Sequence, residues 1–272
     1  MQVIYYKQDR RSILFMLLCM SLLLSPFMVD IPSNYSLIWL LISSLFCFNA
    51  CIINHNHVHS AIFQKNIFNN IFGILLTLAK GHTSAGVILA HNYNHHVHNG
   101  GAQDWINPHL AGEGPGAVRI FRFVINSVIT MARGRRSVTE AVLSTDARKQ
   151  IRVEKISLLL FITIFIYIDA YIFILYVAMP WLVGVFLLIS VNLLQHDKCK
   201  PDSKYNHSRN FTGKLGNWFF FNNGYHTAHH MKPELHWSKL PELHDKEISP
   251  VMDRSLEKSS IVLFLIKKYL IA

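Results

Sequence analysis

Residues 35–59 read YSLIWLLISSLFCFNACIINHNHVH and join a long apolar run to a cluster of three histidines. The apolar part, 35–54, has about the 20 residues that an α-helix needs to cross the ~30 Å hydrocarbon layer of a bilayer. If the helix continues past the apolar run, His55 and His59 lie one turn apart on one face. The stretch therefore predicts a membrane helix that carries imidazoles beyond its end.

The whole chain has the composition of a membrane protein. Of its 272 residues, 51% are hydrophobic and only 15% are charged. Runs long enough to span a bilayer lie at 13–29, 35–54, 156–179 and 181–194. The run 67–90 is also apolar, but Lys80 and His82 near its centre favour an interfacial or re-entrant segment. We expect an all-α membrane protein with four transmembrane helices in two hairpins.

The basic residues indicate the topology. All 26 Lys and Arg lie in 1–11, 55–155 and 196–272, and none lies in the connectors at 30–34 and Pro180. The positive-inside rule then places both termini in the cytoplasm, with 55–155 and 196–272 forming a cytosolic helical cap. We expect one multi-pass integral-membrane domain over 1–272, with a bacterial inner membrane favoured over an organelle.

The net charge of +10 does not indicate nucleic-acid binding, because the basic residues border the spans and form no stripe interleaved with aromatics. Segments 119–136 and 261–272 resemble amphipathic helices that lie on the membrane surface. In the first of these, a cluster of arginines can meet either the phosphates of a thioester carrier or lipid headgroups: Arg133, Arg135 and Arg136.

Three further histidine clusters follow the first. They are HNYNHHVHNG at 91–100, NLLQH at 192–196 and HTAHH at 226–230, all on the predicted cytoplasmic side. A single helix-end histidine often only caps carbonyl groups, but neutral imidazole is also a good ligand for iron, zinc or copper. One zinc ion takes three or four ligands. About nine imidazoles therefore predict two metal ions. The four cysteines have no paired-ligand spacing, and we interpret them as filling the core.

These clusters resemble the histidine boxes of the integral-membrane fatty acid desaturase and hydroxylase superfamily. Its three boxes are HxxxH or HxxxxH, then HxxHH or HxxxHH, then HxxHH. HNHVH at 55–59, HNYNHH at 91–96 and HTAHH at 226–230 match in order. NLLQH at 192–196 is similar to an NxxxH element of the desaturase branch. The resemblance covers about 13–245.

The resemblance implies a di-iron centre that activates molecular oxygen. The implied ligands are His55, His59, His91, His95, His96, His196, His226, His229 and His230, with Asn192 holding a water at one iron. His98 can replace a ligand or support one, and Asp104 can hydrogen-bond the distal nitrogen of a ligand. The remaining histidines are interpreted as bystanders: His57, His82, His109, His207, His236 and His244.

The function that the resemblance implies is oxygen-dependent desaturation of a fatty acyl chain. A membrane di-iron lipid hydroxylase or other lipid oxidase remains an alternative, because the boxes are shared. The chain carries no fused redox domain, so a separate electron donor is expected, a ferredoxin or a small cytochrome with its reductase. A metal transporter is a remote alternative, since its ligands would lie near the bilayer midplane. Here only Asp169 lies deep, as a functional acid or as a polar partner of Ser190 or Asn192.

Overall fold

The computed structural model describes residues 3–271, with their side chains except those of residues 137–141. This part of the chain is mostly helical, as predicted. The α-helices, numbered in chain order, are α1 (Asp9–Leu24), α2 (Ser33–His59), α3 (Asn66–Lys80), α4 (Val87–Ala90), α5 (His96–His98), α6 (Gly116–Val142), α7 (Thr145–Phe173), α8 (Met179–His196), α9 (Lys214–Phe219), α10 (His226–Met231), α11 (Leu240–Leu243) and α12 (Ile261–Leu265). The π-helical turns are His91–His95, Ile174–Ala178, His244–Ile248 and Ile266–Leu270, and the 3₁₀ turns are Ser25–Phe27, Pro108–Ala111, Trp237–Lys239 and Arg254–Leu256. Two short strands, β1 (Asn210–Phe211) and β2 (Glu257–Lys258), pair in parallel.

Three helical stretches of the described chain are long and apolar enough to cross a membrane. They are Asp9–Phe27, Ser33–His59 and Thr145–His196, the last of 52 residues. The described chain also divides into two compact units. One runs up to Val87 and includes Leu143–Leu188, and the other comprises Ile88–Val142 and the chain from Ile189 onward. The single domain over 1–272 and the four separate crossings stay predictions.

In the first unit, α1 and α2 form an antiparallel hairpin. The indole Nε1 of Trp39 donates to the carbonyl oxygen of Leu22 at 3.1 Å, and the rings of Phe15 and Phe46 lie 5.4 Å apart. Leu22 and Trp39, near the connection between the helices, are in contact, and so are Phe15 and Phe46, which lie further from it on both helices. The two helices therefore run in opposite directions. Helix α2 continues through the histidines to His59, as the sequence predicts for a helix that outlasts its apolar run.

The second hairpin turns at Asp169, so the predicted connector at Pro180 is wrong. Asp169 alone has non-helical dihedrals within α7, with φ −159° and ψ 104°, and its Oδ1 accepts from the amide of Ile172 at 2.9 Å. The rings of Phe161 and Trp181 lie 5.9 Å apart, although 20 residues of straight helix would separate them by about 30 Å. Pro180 lies inside a helical stretch that runs on to His196, directly after the π turn Ile174–Ala178. The π turn already alters the regular hydrogen bonding that a proline disrupts, so the proline does not end the helix.

Both sequence-based interpretations of Asp169 are therefore wrong: it is neither a deep intramembrane acid nor a partner of Ser190 or Asn192. The carboxylate caps the second helix of the hairpin, where side chains of this type are favoured because they satisfy a free backbone N–H. Asp169 therefore stabilises the start of the helix that follows it.

Helix α3 belongs to the apolar run 67–90 and is too short to span. Its 15 residues correspond to about 22 Å of helix, against the ~30 Å that a bilayer requires. It ends at Gly81, which has a left-handed φ of 74°. A Cβ on Gly81 would run into the indole of Trp181. The buried Lys80 then contacts His82 at the start of the following loop.

In the second unit, one face of α6 is apolar and exposed, and the opposite face packs against other residues of the unit. The exposed side chains include Val118, Phe121, Ile125 and Val128, which follow the helical repeat. On the other face Asn126 Nδ2 donates to the carbonyl oxygen of Leu110 at 2.9 Å. Helix α6 and the C-terminal segment, Ile261–Leu270, correspond to the two predicted amphipathic segments.

Candidate metal centre

The first histidine cluster lies at the end of α2 in the first unit. His55 and His59 are one turn apart, and their ring centroids are separated by 5.6 Å. The preceding residues of α2, from Cys47 to Asn54, are all buried. His57 points away and packs edge-on against Phe72 at 5.4 Å. The helix therefore presents two of its three histidines together.

The second cluster lies on the π-helical turn His91–His95 of the second unit. A π turn holds more residues per turn than an α-helix, so side chains four and five positions apart are brought together. His91 Nε2 lies 3.0 Å from His96 Nε2, and the rings of His91 and His95 are 5.6 Å apart. This short segment thus presents three imidazoles to one region.

Helix α10 carries the third cluster and is anchored through a residue between its histidines. The amide of Thr227 donates to Asn210 Oδ1 at 3.0 Å, and Thr227 Oγ1 lies 2.8 Å from Ser208 Oγ. Both contacts are fully buried. They hold the helix to β1 and the residues before it, while the spacing of His226, His229 and His230 places these three rings along one face.

Four histidines from three elements of the second unit converge, and we call them the His95 group: His95, His196, His226 and His230. Each offers one ring nitrogen, and these nitrogens all lie within 4.8 Å of one another. His226 Nε2 is 2.8 Å from His196 Nε2 and 3.1 Å from His230 Nε2. Residues more than 130 positions apart in the sequence therefore meet at one point.

A second set of rings in the same unit is centred on His96. Its Nε2 lies 3.0 Å from His91 Nε2 and 3.0 Å from His229 Nε2. The His91 and His229 rings are nearly parallel, with centroids 5.8 Å apart. The rings of His96 and His230 stack at 4.4 Å, so this set adjoins the His95 group.

These spacings suit metal ions better than hydrogen bonds between rings. Two nitrogens bound to one ion at about 2.1 Å and at right angles lie about 3.0 Å apart. A neutral imidazole Nε2 carries either one proton or one lone pair. His96 Nε2 and His226 Nε2 each face two other ring nitrogens, and a hydrogen bond can satisfy only one of them. Histidine clusters of this kind can hold metal.

The protonation state of the cluster also suits metal binding. Loss of water around the ring is the largest influence on His230, and neighbouring histidines act in the same direction, first His226 and then His96. Together they hold the pKa of His230 well below its ordinary value. The ring is therefore neutral at physiological pH, which is the form that binds a metal.

Asp104 fixes the orientation of His95. Its Oδ2 lies 2.6 Å from His95 Nδ1 and accepts from the amide of Gly100, while Oδ1 accepts from the amide of Ile106. Burial acts to raise the pKa of this carboxyl, but the interaction with His95 and the two backbone amides outweigh it and lower the pKa. An ionised Asp104 holds the proton of His95 on Nδ1, so that Nε2 faces the other three rings of the His95 group.

His196 is oriented by residues that sequence reasoning did not find. Its Nδ1 lies 3.2 Å from the carbonyl oxygen of His207, a buried histidine interpreted from the sequence as a bystander. The next residue, Asp197, takes hydrogen bonds from Arg119 and Tyr269. The position of Asp197, directly after a predicted ligand, was the one signal in the sequence. Its partners could not be found in this way, because they are distant in the sequence.

The remaining predicted residues fall near or outside the groups. Asn192 Nδ2 lies 3.1 Å from His95 Nε2, whereas His98 follows the π turn and belongs neither to the His95 group nor to the rings centred on His96. The bystander histidines also lie outside these sets. His236 Nδ1 is 2.8 Å from Ser238 Oγ, and His244 Nε2 is 3.1 Å from Glu257 Oε2.

Comparison with known proteins gives one family. The model of the family described as Fatty acid desaturase matches residues 34–258, which include all three histidine boxes and NLLQH. No curated protein shows a significant match to the chain. The match covers most of the sequence and confirms the resemblance stated from the boxes. The chain therefore belongs to the fatty acid desaturase family.

Proposed function

We propose that this protein is an oxygen-dependent, di-iron membrane desaturase that introduces a double bond into a lipid acyl chain. The observation that supports it most is the His95 group, in which four ring nitrogens from three elements lie within 4.8 Å of one another. Family membership supports desaturase-like or hydroxylase-like oxidation.

We assign the His95 group to one iron, with Asn192 holding a water there. We assign His91, His96 and His229 to the second iron, and His55 and His59 of the first box remain predicted iron ligands. When bound, the iron pair with molecular oxygen supplies an oxidant strong enough to remove hydrogen from an unactivated methylene, which no side chain can do.

The chain's own residues hold and orient the ligands. Asp104 keeps the proton of His95 on Nδ1, and the carbonyl oxygen of His207 accepts from His196 Nδ1 in the same way. Such contacts on the far side of a ligand fix its tautomer and ring orientation, and they raise its basicity. The neutral state of His230 removes the repulsion that a protonated ring would exert on a cation.

Substrate, electron donor and location follow from the same proposal. The substrate is a lipid acyl chain, and electrons come from a separate ferredoxin or small cytochrome with its reductase. We propose four membrane crossings with both termini in the cytoplasm, in a bacterial inner membrane. The exposed Arg133 and Arg136 on α6 can meet lipid headgroups or the phosphates of a thioester carrier.

Hydroxylation of a lipid is the second candidate function, because both reactions use the same histidine boxes. NLLQH at 192–196 favours desaturation, since NxxxH is an element of the desaturase branch in the resemblance. In the structure its Asn192 lies beside His95, at the proposed metal centre. Metal transport fits less well, because these rings lie at helix ends and in short segments that follow them.

The deciding experiment is expression in a host that supplies a suitable reductase, followed by mass spectrometry of the lipids. A desaturase yields acyl chains lighter by two hydrogens, whereas a hydroxylase yields chains heavier by one oxygen. Unchanged lipids together with zinc as the only bound metal, after growth in iron-replete medium, would overturn the proposal.

The matched variants are His95→Ala, His229→Ala and His109→Ala. The first two remove rings from the proposed ligand sets, and product formation should be lost. His109 is an exposed histidine outside both metal-ligand sets, so His109→Ala should keep most of the activity. Equal activity in all three variants would contradict the ligand assignment.

A further inference from the structure

The C-terminal segment, Ile261–Leu270, is hydrogen-bonded to Asp197, the residue that follows the proposed metal ligand His196. Tyr269 is 1% exposed, and its hydroxyl donates to Asp197 Oδ2 at 2.6 Å. Asp197 directly follows His196, the last residue of α8. The family match ends at residue 258, so this contact comes from a segment outside the matched region.

Asp197 is held from two directions at once. Besides Tyr269, the guanidinium of Arg119 on α6 donates to both of its carboxylate oxygens, at 2.8 and 3.1 Å. Arg119 Nε also donates to the carbonyl oxygen of Gly112 at 2.9 Å, which fixes the plane of the guanidinium. Two-pronged pairs of this kind carry more geometric specificity than a single contact.

Arg209 gives the end of α8 a second support. It donates from Nη1 to the carbonyl oxygen of Leu194 and from Nη2 to that of Asp197, so it caps carbonyl groups that a helix end leaves unsatisfied. Its guanidinium lies over the ring of Phe264 at 4.4 Å. The C-terminal segment therefore supports both the backbone and the carboxylate next to His196.

The position of Tyr269 is itself tightly defined. Gly116 begins α6, and a Cβ at Gly116 would collide with the backbone of Tyr269. The close approach that glycine permits lets the C-terminal segment lie directly against α6. This packing places the hydroxyl of Tyr269 beside Asp197.

We propose that Tyr269 and Arg119 are positioning residues, which hold His196 in the His95 group through Asp197. Without them the last turn of α8 gains freedom, and His196 Nε2 no longer stays at the spacing from His226 that one ion requires. This proposal rests on the proposed function in one respect, namely that the His95 group binds an ion.

The test uses the full chain in detergent, loaded with cobalt(II) as the probe metal, and follows release of each ion to a chelator. His196→Ala identifies the release phase that belongs to the His95 group. Tyr269→Phe keeps the ring and removes only the hydroxyl. We expect it to accelerate that phase about tenfold, the lower end of the effect that losing a group bonded directly to a ligand has on metal affinity. The release phase of the other ion and the absorption spectrum of the cobalt bound there should not change.

Two controls distinguish positioning from general stability. Tyr171, which is 73% exposed, supplies the matched Tyr171→Phe variant, which should release both ions at the wild-type rate. Since Tyr269 acts through Asp197, Tyr269→Phe should add nothing to Asp197→Ala in the double variant.

Three results would overturn the inference: unchanged release by Tyr269→Phe, equal acceleration of both phases, or additive effects in the double variant. If the His95 group binds no ion, the result looks different, because the wild-type protein then lacks the release phase that His196→Ala removes; the lipid products test the oxidation itself.

Discussion

At the scale of single residues, the ring of His95 is oriented by a carboxylate nine positions further along the chain. The histidines that converge could be predicted because box spacing is a local property of the sequence. The contact from Asp104 was also within reach of local reasoning. The partners of Asp197 were not, because Arg119 and Tyr269 are 78 and 72 residues away. Only the folded chain brings these groups together.

The first prediction concerns Asp104. Asp104→Ala removes both the acceptor for His95 and the charge, and we expect metal affinity at the His95 group to fall about 10- to 100-fold. Asp104→Asn keeps an acceptor and should lose less. Metal content after dialysis against a graded chelator measures the effect. The neighbouring exposed Gln103→Ala is the control, and a loss as large as that of Asp104→Ala would contradict the role of the carboxylate.

At the scale of elements, apolar runs predicted the helices better than they predicted the turns. Helix α2 follows the run at 35–54 and continues through the histidines. The second hairpin was misplaced because proline was taken as the turn signal and an aspartate in an apolar run as buried chemistry. The structure reverses these roles, since Asp169 caps a helix and Pro180 lies within a continuous helical stretch. The π turn at His91–His95 has no signal in the hydropathy pattern.

The second prediction tests Asp169 as a helix cap. Asp169→Ala should lower stability by about 1 kcal/mol, the usual cost of removing an N-cap side chain. Asp169→Asn should stay near the wild type, because asparagine caps equally well. The measurement is the midpoint of thermal unfolding in detergent, with lipid oxidation assayed in parallel. A stable but inactive Asp169→Asn would show instead that the negative charge itself is used.

At the scale of the whole molecule, composition and charge predicted a helical membrane protein, and the three sufficiently long apolar helices among residues 3–271 agree with this. The division into two compact units was not anticipated. It could not be read from the sequence, because each unit combines segments that are separated along the chain, such as Leu143–Leu188 with the N-terminal residues up to Val87. Charge placement predicts which side of a membrane a segment occupies and carries no information on how segments pack.

The third prediction concerns metal removal. An ion that binds only the folded protein stabilises it by about 2.7 kcal/mol when present at a hundred times its dissociation constant. Treatment with a strong chelator should therefore lower the Tm, and added ferrous iron under anaerobic conditions should restore it. His95→Ala should show a smaller shift, because one ion is already weakened. A Tm that is indifferent to chelator in the wild type would argue against a metal centre.

The π turn at His91–His95 has an evolutionary consequence. Such a turn is an α-helix with one residue inserted, and deleting a residue between His91 and His95 would leave the spacing HxxHH. A regular α-helix presents that spacing on a single face, as α10 does with His226, His229 and His230. In this chain the longer HxxxHH form of the second box is thus carried by the wider π turn. Inserting or deleting one residue there keeps the three rings together when the number of residues per helical turn changes with it.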